Sequence, residues 1–158
     1  MNSDGTFDGK VVVLGIGNPY MRDDGVGIYA IRYLKENIHL SENMVLFEET
    51  TIDLSLLAQF EGASKIIIID ALKAGNPPGT VSKYEIISRK DPLVGLPNLH
   101  ELQLYDLLDV AKSEFLTCPV VVVGVEPKDV SLGEGLSDVV ARAMDGIADQ
   151  VRRELKHE

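Results

Sequence analysis

The sequence has a single cysteine, Cys118, among its 158 residues. An intramolecular disulfide is therefore excluded, and a reducing, cytoplasmic compartment is the expected location. Basic residues are also scarce, with 15 lysines and arginines against 25 aspartates and glutamates, which gives a formal net charge of -10. Because such a chain lacks the positive surface that drives binding to nucleic acid or anionic membranes, we expect no nucleic-acid partner and no membrane partner.

Long apolar runs are absent as well. No run approaches the roughly 20 residues that a membrane-spanning helix needs, and the first ten residues, MNSDGTFDGK, are polar and lack a hydrophobic signal core. A soluble protein is therefore expected. The length allows a single domain over residues 1–158 to bury its own core, with residues 1–9 as a flexible tail.

Short runs rich in β-branched residues predict the strands of a sheet. Three of them are apolar throughout, which is typical of strands covered on both faces in a parallel sheet. They are KVVVLGIG at 10–17, KIIIID at 65–70 and PVVVVGV at 119–125. A weaker run, MVLFEE at 44–49, predicts a fourth strand. The alternating segment TVSKYEII at 80–87 predicts an edge strand that runs antiparallel.

Helical patterns lie between and after these strands. They cover 25–37, 53–63 with Asp53 as a cap, 98–114, and a closing amphipathic helix at 137–158. Asn98 and Glu101 form a capping-box arrangement, so His100 is expected in the first turn of its helix. The alternation predicts an α/β fold: a single-domain three-layer α/β/α sandwich with a twisted, mostly parallel sheet of about five strands and one antiparallel edge strand.

A glycine-rich turn, GIGNPYMRDDGVG at 15–27, follows the first strand and contains Asp23 and Asp24. Asp70 ends the third strand. In open α/β sheets, ligands bind outside the carboxyl ends of the strands, near the switch in strand order. The two aspartates of the turn, Asp70 and His100 are therefore candidates for one cluster at this edge of the sheet.

Nucleotide binding and serine or cysteine hydrolysis fit poorly. The dinucleotide motif needs a third glycine three positions after Gly17, where Tyr20 stands instead. No GK[ST] sequence follows the turn, and there is no G-x-S-x-G motif. Cys118 lies just before Pro119 at a strand start, which is typical of a small buried residue and not of a thiol beside a base.

A metal site is the remaining chemical interpretation. Carboxylates with one imidazole suit a borderline divalent ion such as nickel or zinc better than magnesium. Each residue also has a simpler structural interpretation: Asp23 or Asp24 could cap a helix, Asp70 could cap a turn, and His100 could be a polar first-turn residue. Glu126, at the end of the last strand, fits a loop role. Residue types and spacing leave both interpretations open.

Four stretches together resemble one known family. They are GIGNPYMRDDGVG, IIIIDALKAGNPPGT, LHELQLYDLL and VVVVGVEP. The chain resembles, from Val11 to its final helix, the hydrogenase maturation endopeptidases that process the large subunit of [NiFe] hydrogenases. The resemblance implies an endopeptidase that removes a short C-terminal extension from the large-subunit precursor after nickel insertion. It also implies a twisted sheet flanked by helices.

The same resemblance implies the site residues. The family's metal-binding trio falls on Asp24, Asp70 and His100, which would serve as both catalytic and metal-binding residues, while Asp23 would support or cap. The metal would be the precursor's own nickel, used for recognition, with zinc or cadmium as surrogates. Substrate specificity is expected in the loops 88–99 and 126–135. A non-catalytic nickel-binding assembly factor on the same scaffold, or a peptidase acting on another precursor, remains an alternative.

Overall fold

Strands and helices alternate along the computed structural model, which describes residues 9–86 and 99–156 and, of these, the side chains of all but 99–102. The strands in these segments are β1 Lys10–Ile16, β2 Met44–Glu49, β3 Ala63–Ala71, β4 Val81–Glu85 and β5 Val120–Val125. The α-helices are α1 Val26–Asn37, α2 Leu56–Phe60, α3 Leu99–Glu114, α4 Asp138–Ala141 and α5 Met144–Glu154. A short 3-10 helix, Arg22–Gly25, joins β1 to α1.

The five strands form one sheet in the order β2-β1-β3-β5-β4. All neighbouring pairs are parallel except β4 and β5, which are antiparallel, so the predicted edge strand is confirmed. Leu14 at the centre of β1 pairs with Phe47 of β2 and with Ile68 of β3. The chain leaves β1 toward β2 on one side and returns to β3 on the other, which places the switch in strand order between β1 and β3.

Helices cover both faces of the sheet and explain the continuous apolar runs. On one face, α2 and α3 pack over Val12, Leu14, Ile66, Ile68 and Val122. On the other face, α1, α4 and α5 pack over Val11, Val13, Ile67, Ile69 and Val123. The predicted three-layer α/β/α sandwich is therefore confirmed. None of the helices in the described segments has both the length and the apolar character to cross a membrane.

Two predicted helices differ from the observed ones. The closing segment is two helices, α4 and α5, because the amide of Ala143 bonds to the carbonyl of Val140, three residues back, and interrupts the α-helical pattern. The predicted helix at 53–63 is shortened to α2. Asp53 Oδ1 accepts hydrogen bonds from the amide and hydroxyl of Ser55 and so forms a turn before α2 instead of capping it.

Some predictions concern residues outside the described segments. The predicted N-terminal tail, 1–9, lies outside them except for Gly9. The capping residue Asn98 and the predicted specificity loop 88–99, apart from Leu99, also lie outside them.

Candidate active site

Glycines let the start of α1 approach the carboxyl ends of β1 and β3. A Cβ atom at Gly27 would lie 2.3 Å from the carbonyl oxygen of Ile69 and 2.5 Å from that of Ile16. A Cβ atom at Gly15 would lie 2.1 Å from the carbonyl oxygen of Gly27. Only glycine fits at such distances, so the backbones can meet here. The 3-10 helix that carries the two adjacent aspartates therefore contacts β3 at the switch in strand order.

Asp24 lies in that 3-10 helix and remains partly exposed. Its Oδ2 atom accepts a hydrogen bond of 3.1 Å from the amide of Asn18, in the turn after β1. No side-chain cap is present at the start of the 3-10 helix or of α1, so the capping interpretation of Asp24 is wrong. The carboxylate is thus held beside the end of β1 and still reaches solvent.

Asp70, the other predicted carboxylate, lies near the end of β3 and is only 3% exposed. Its Oδ1 atom accepts a hydrogen bond of 2.8 Å from the adjacent amide of Ala71. Asp70 pairs with Gly124 of β5, on the side of β3 opposite β1. Because β3 runs parallel to β1, the strand that leads to Asp24, both strands end at the same edge of the sheet.

Glu126 binds the turn after β3. Glu126 is 9% exposed, and its two oxygens accept hydrogen bonds from the amides of Ala74, at 2.8 Å, and Gly75, at 3.1 Å. The Glu126 amide in turn donates to the carbonyl of Thr80. The loop interpretation of Glu126 agrees with this geometry, because its carboxylate ties the turn after β3 to the end of β5.

Asp23 has a structural role that its position beside Asp24 does not suggest. Its side chain is fully buried. It accepts hydrogen bonds from the amides of Lys128, Asp129 and Ser137 at 2.8 to 2.9 Å, and from the Ser137 hydroxyl at 2.7 Å. The helix-cap interpretation of Asp23 is therefore wrong. Its carboxylate binds the loop 128–137 against the 3-10 helix.

The pKa of Asp23 reflects these contacts. Burial by itself raises the pKa of the Asp23 carboxyl, but hydrogen bonds from Asp129, Ser137 and Lys128 favour the ionised form and together lower the pKa below its ordinary value. Asp23 is therefore a carboxylate at neutral pH. Local spacing in the sequence carries no signal of this role, because the partners lie more than one hundred residues away along the chain.

The third predicted ligand, His100, lies in the first turn of α3, as expected. Its side chain is outside the described part of the structure. Among the side chains that are described, no three histidine, cysteine or acidic groups are placed to hold a metal ion. The trio of Asp24, Asp70 and His100 therefore stays a prediction.

Cys118 lies away from this edge, just before β5 begins. It is partly buried, not fully buried as expected, and packs against the core. This partial burial raises the pKa of its thiol, so the reactive thiolate is disfavoured. Asp24 and Asp70, the predicted site residues whose side chains are described, are carboxylates, which can hold a divalent cation or accept a proton from water.

Known proteins share both the sequence and the fold. The family model HycI, described as hydrogenase maturation protease, matches residues 28–154. The hydrogenase expression/formation protein HoxM of Cupriavidus necator is 29% identical over 150 residues, which cover 90% of this chain and 74% of HoxM. The hydrogenase 2 maturation protease of Escherichia coli is 26% identical over 154 residues, which cover 93% of this chain and 91% of that protein.

A solved structure supports the same assignment at the level of the fold. The E. coli hydrogenase maturating endopeptidase HybD superimposes with a TM-score of 0.80 at 23% sequence identity, covering 92% of this chain and 91% of HybD. The family model extends from α1 to the end of α5 and thus includes most of the sheet and its flanking helices. This chain belongs to the hydrogenase maturation protease family and is a peptidase.

Proposed function

We propose that this peptidase removes a C-terminal extension from the precursor of a [NiFe]-hydrogenase large subunit after nickel has been inserted. The main support is the family match over residues 28–154, combined with two carboxylates, Asp24 and Asp70, at the switch in strand order. That position is where open α/β sheets bind their ligands. We place the reaction in the cytoplasm, in keeping with a lone cysteine that cannot form an intramolecular disulfide.

In this proposal the nickel belongs to the substrate. Asp24, Asp70 and His100 bind the nickel already seated in the precursor and so recognise a loaded subunit. Carboxylate and imidazole groups suit a borderline divalent ion, and zinc or cadmium could replace nickel in a binding assay. His100 lies in the first turn of α3.

Hydrolysis itself needs a base, an acid and a positioned peptide bond. Water adds its oxygen to the scissile carbonyl carbon, a carboxylate accepts the proton, and the same proton passes to the leaving amine as the peptide bond breaks. Asp24 is the better base because the residue is partly exposed, whereas Asp70 is not. Asp70 is nearly buried and bonded to the Ala71 amide, which suits a fixed, orienting group.

The test is to incubate the enzyme with its large-subunit precursor, nickel-loaded or nickel-free, and to measure the precursor's intact mass. We expect loss of one defined C-terminal peptide from the loaded form only. Asp24→Asn and His100→Ala should fold normally and abolish this loss. Asp149→Asn, at an exposed aspartate of α5, is the matched control and should cleave normally.

Two outcomes would contradict the proposal. Retained cleavage in both Asp24→Asn and His100→Ala would remove the predicted trio from the reaction. Binding of an authentic loaded precursor without any cleavage by the folded wild-type protein would favour the assembly-factor alternative.

A further inference from the structure

Two segments meet next to Asp24: the turn that leads into the 3-10 helix and the loop 128–137. The amide of Gly133 donates a hydrogen bond of 2.8 Å to the carbonyl of Tyr20. The amide of Arg22 donates one of 3.1 Å to the carbonyl of Gly133, and Met21 pairs with Gly133 in a short parallel bridge. These contacts align two stretches of backbone that are distant in sequence.

Side chains from both segments also stabilise this junction. The buried carboxylate of Asp23 accepts hydrogen bonds from three backbone amides and one hydroxyl of the loop. The Arg22 guanidinium lies 3.7 Å from the carboxylate of Asp129 and donates to the carbonyl of Glu134 at 3.5 Å. Arg22 also has a φ of 46°, a left-handed conformation that residues other than glycine seldom adopt. Tertiary contacts therefore hold the backbone of this junction in a defined conformation.

This junction, held by several hydrogen bonds, presents two large apolar side chains to solvent. Tyr20 is 61% exposed and Leu132 is 81% exposed. They stand one residue before Met21 and Gly133, the two residues of the parallel bridge, so their backbones lie side by side. Exposed apolar residues that are grouped on an ordered backbone are typical of binding surfaces, because little conformational entropy is lost on docking.

We propose that Tyr20 and Leu132 form a docking ridge for the folded body of the large-subunit precursor; this inference rests on the proposed function. Tyr20 is four residues from Asp24, so a precursor whose chain end enters the site must place its folded part against the surface beside it. The charged pair of Arg22 and Asp129 lies beside the ridge, an arrangement of apolar centre and polar rim found in protein interfaces. An aromatic anchor such as Tyr20 is a frequent source of binding energy.

The ridge is tested with Tyr20→Ser, Leu132→Ser and the double variant. Phe115→Ser and Leu40→Ser are matched controls, since both residues are partly exposed and lie beyond the ends of α3 and α1, at the opposite edge of the sheet. Binding is measured on immobilised precursor with its extension intact, and cleavage is measured over a range of precursor concentrations. We expect the double variant to bind at least tenfold more weakly and to raise KM similarly, with kcat within twofold. The controls should change neither quantity by more than twofold.

The outcomes separate the ridge from the peptidase reaction. Unchanged precursor affinity in a folded double variant would overturn the ridge, even if the wild-type protein cleaves. Weakened binding in that variant, together with no cleavage by wild type, would support the ridge and overturn the proposed function. A wild-type dimer in sedimentation experiments that the double variant loses, with precursor affinity unchanged, would assign the surface to a second copy and overturn the proposal. Leu132→Asp, at the more exposed position, repeats the test if the double variant is unstable.

Discussion

Removal of the Asp23 carboxylate should destabilise the whole domain, because the loop 128–137 depends on it. Asp23→Ala would leave three backbone amides and the Ser137 hydroxyl without their acceptor. A hydrogen bond to a charged group contributes about 1.5–3 kcal/mol to the free energy of unfolding. Amides that can form a hydrogen bond with water in the variant regain much of this energy. We expect a loss of about 3–5 kcal/mol in the free energy of unfolding, which corresponds to a fall in Tm of roughly 10 °C for a domain of this size.

The assay is urea-induced unfolding followed by circular dichroism at pH 7. Asp129→Ala is the matched control, because its exposed carboxylate accepts hydrogen bonds from the amide and hydroxyl of Ser131 and lies 3.7 Å from Arg22. Surface contacts of this kind contribute about 0–1 kcal/mol, so the control should change stability little. A loss below about 1 kcal/mol in Asp23→Ala would refute the reasoning, since the carboxylate would then not bind the loop.

Acid should narrow the difference in stability between wild type and Asp23→Ala. The folded pKa of Asp23 is lowered from 3.8, the value that an unfolded chain approximates. A carboxyl group of this kind stabilises the fold fully above its unfolded pKa and loses that contribution as pH falls through the lower folded pKa. The gap in unfolding free energy should therefore be constant near neutral pH and narrow below about pH 4.

Three further predictions concern single residues of the domain. Glu154→Ala should cost about 1–3 kcal/mol in urea unfolding, because the buried Lys65 ammonium loses the carboxylate that lies 2.9 Å away but keeps its hydrogen bond to the backbone carbonyl of residue 154; a loss under about 0.5 kcal/mol would contradict this. Gly27→Ala should yield little soluble, folded protein, because its Cβ would lie 2.3 Å from a backbone oxygen of β3; a normal yield with a native spectrum would count against the close approach. Cys118 should react with a thiol reagent at pH 7.5 at least tenfold more slowly when folded than in urea, because burial raises its pKa; equal rates would refute that.

The central strands could be predicted from sequence for a physical reason. A strand covered on both faces must be apolar at every position, and this requirement is visible in a short run such as the one that became β3. The antiparallel edge strand β4 could also be predicted, since its alternating pattern reflects one solvent-exposed face. The break between α4 and α5 could not be predicted from the sequence. The amphipathic periodicity continues across the break, and only the backbone hydrogen bonds show it.

The sequence alone determined which strands form and the family to which the chain is similar, because these depend on local apolar periodicity and contiguous motifs. The tertiary structure decided what the acidic residues near the carboxyl edge of the sheet do. Asp23 and Asp24 are neighbours in sequence, yet one is buried against a loop more than one hundred residues away and the other remains partly exposed. Glu126 bonds the turn after β3 in the same way, across a separation of 52 residues. Roles of this kind depend on which distant amides the fold brings to each carboxylate, and that information is absent from local spacing.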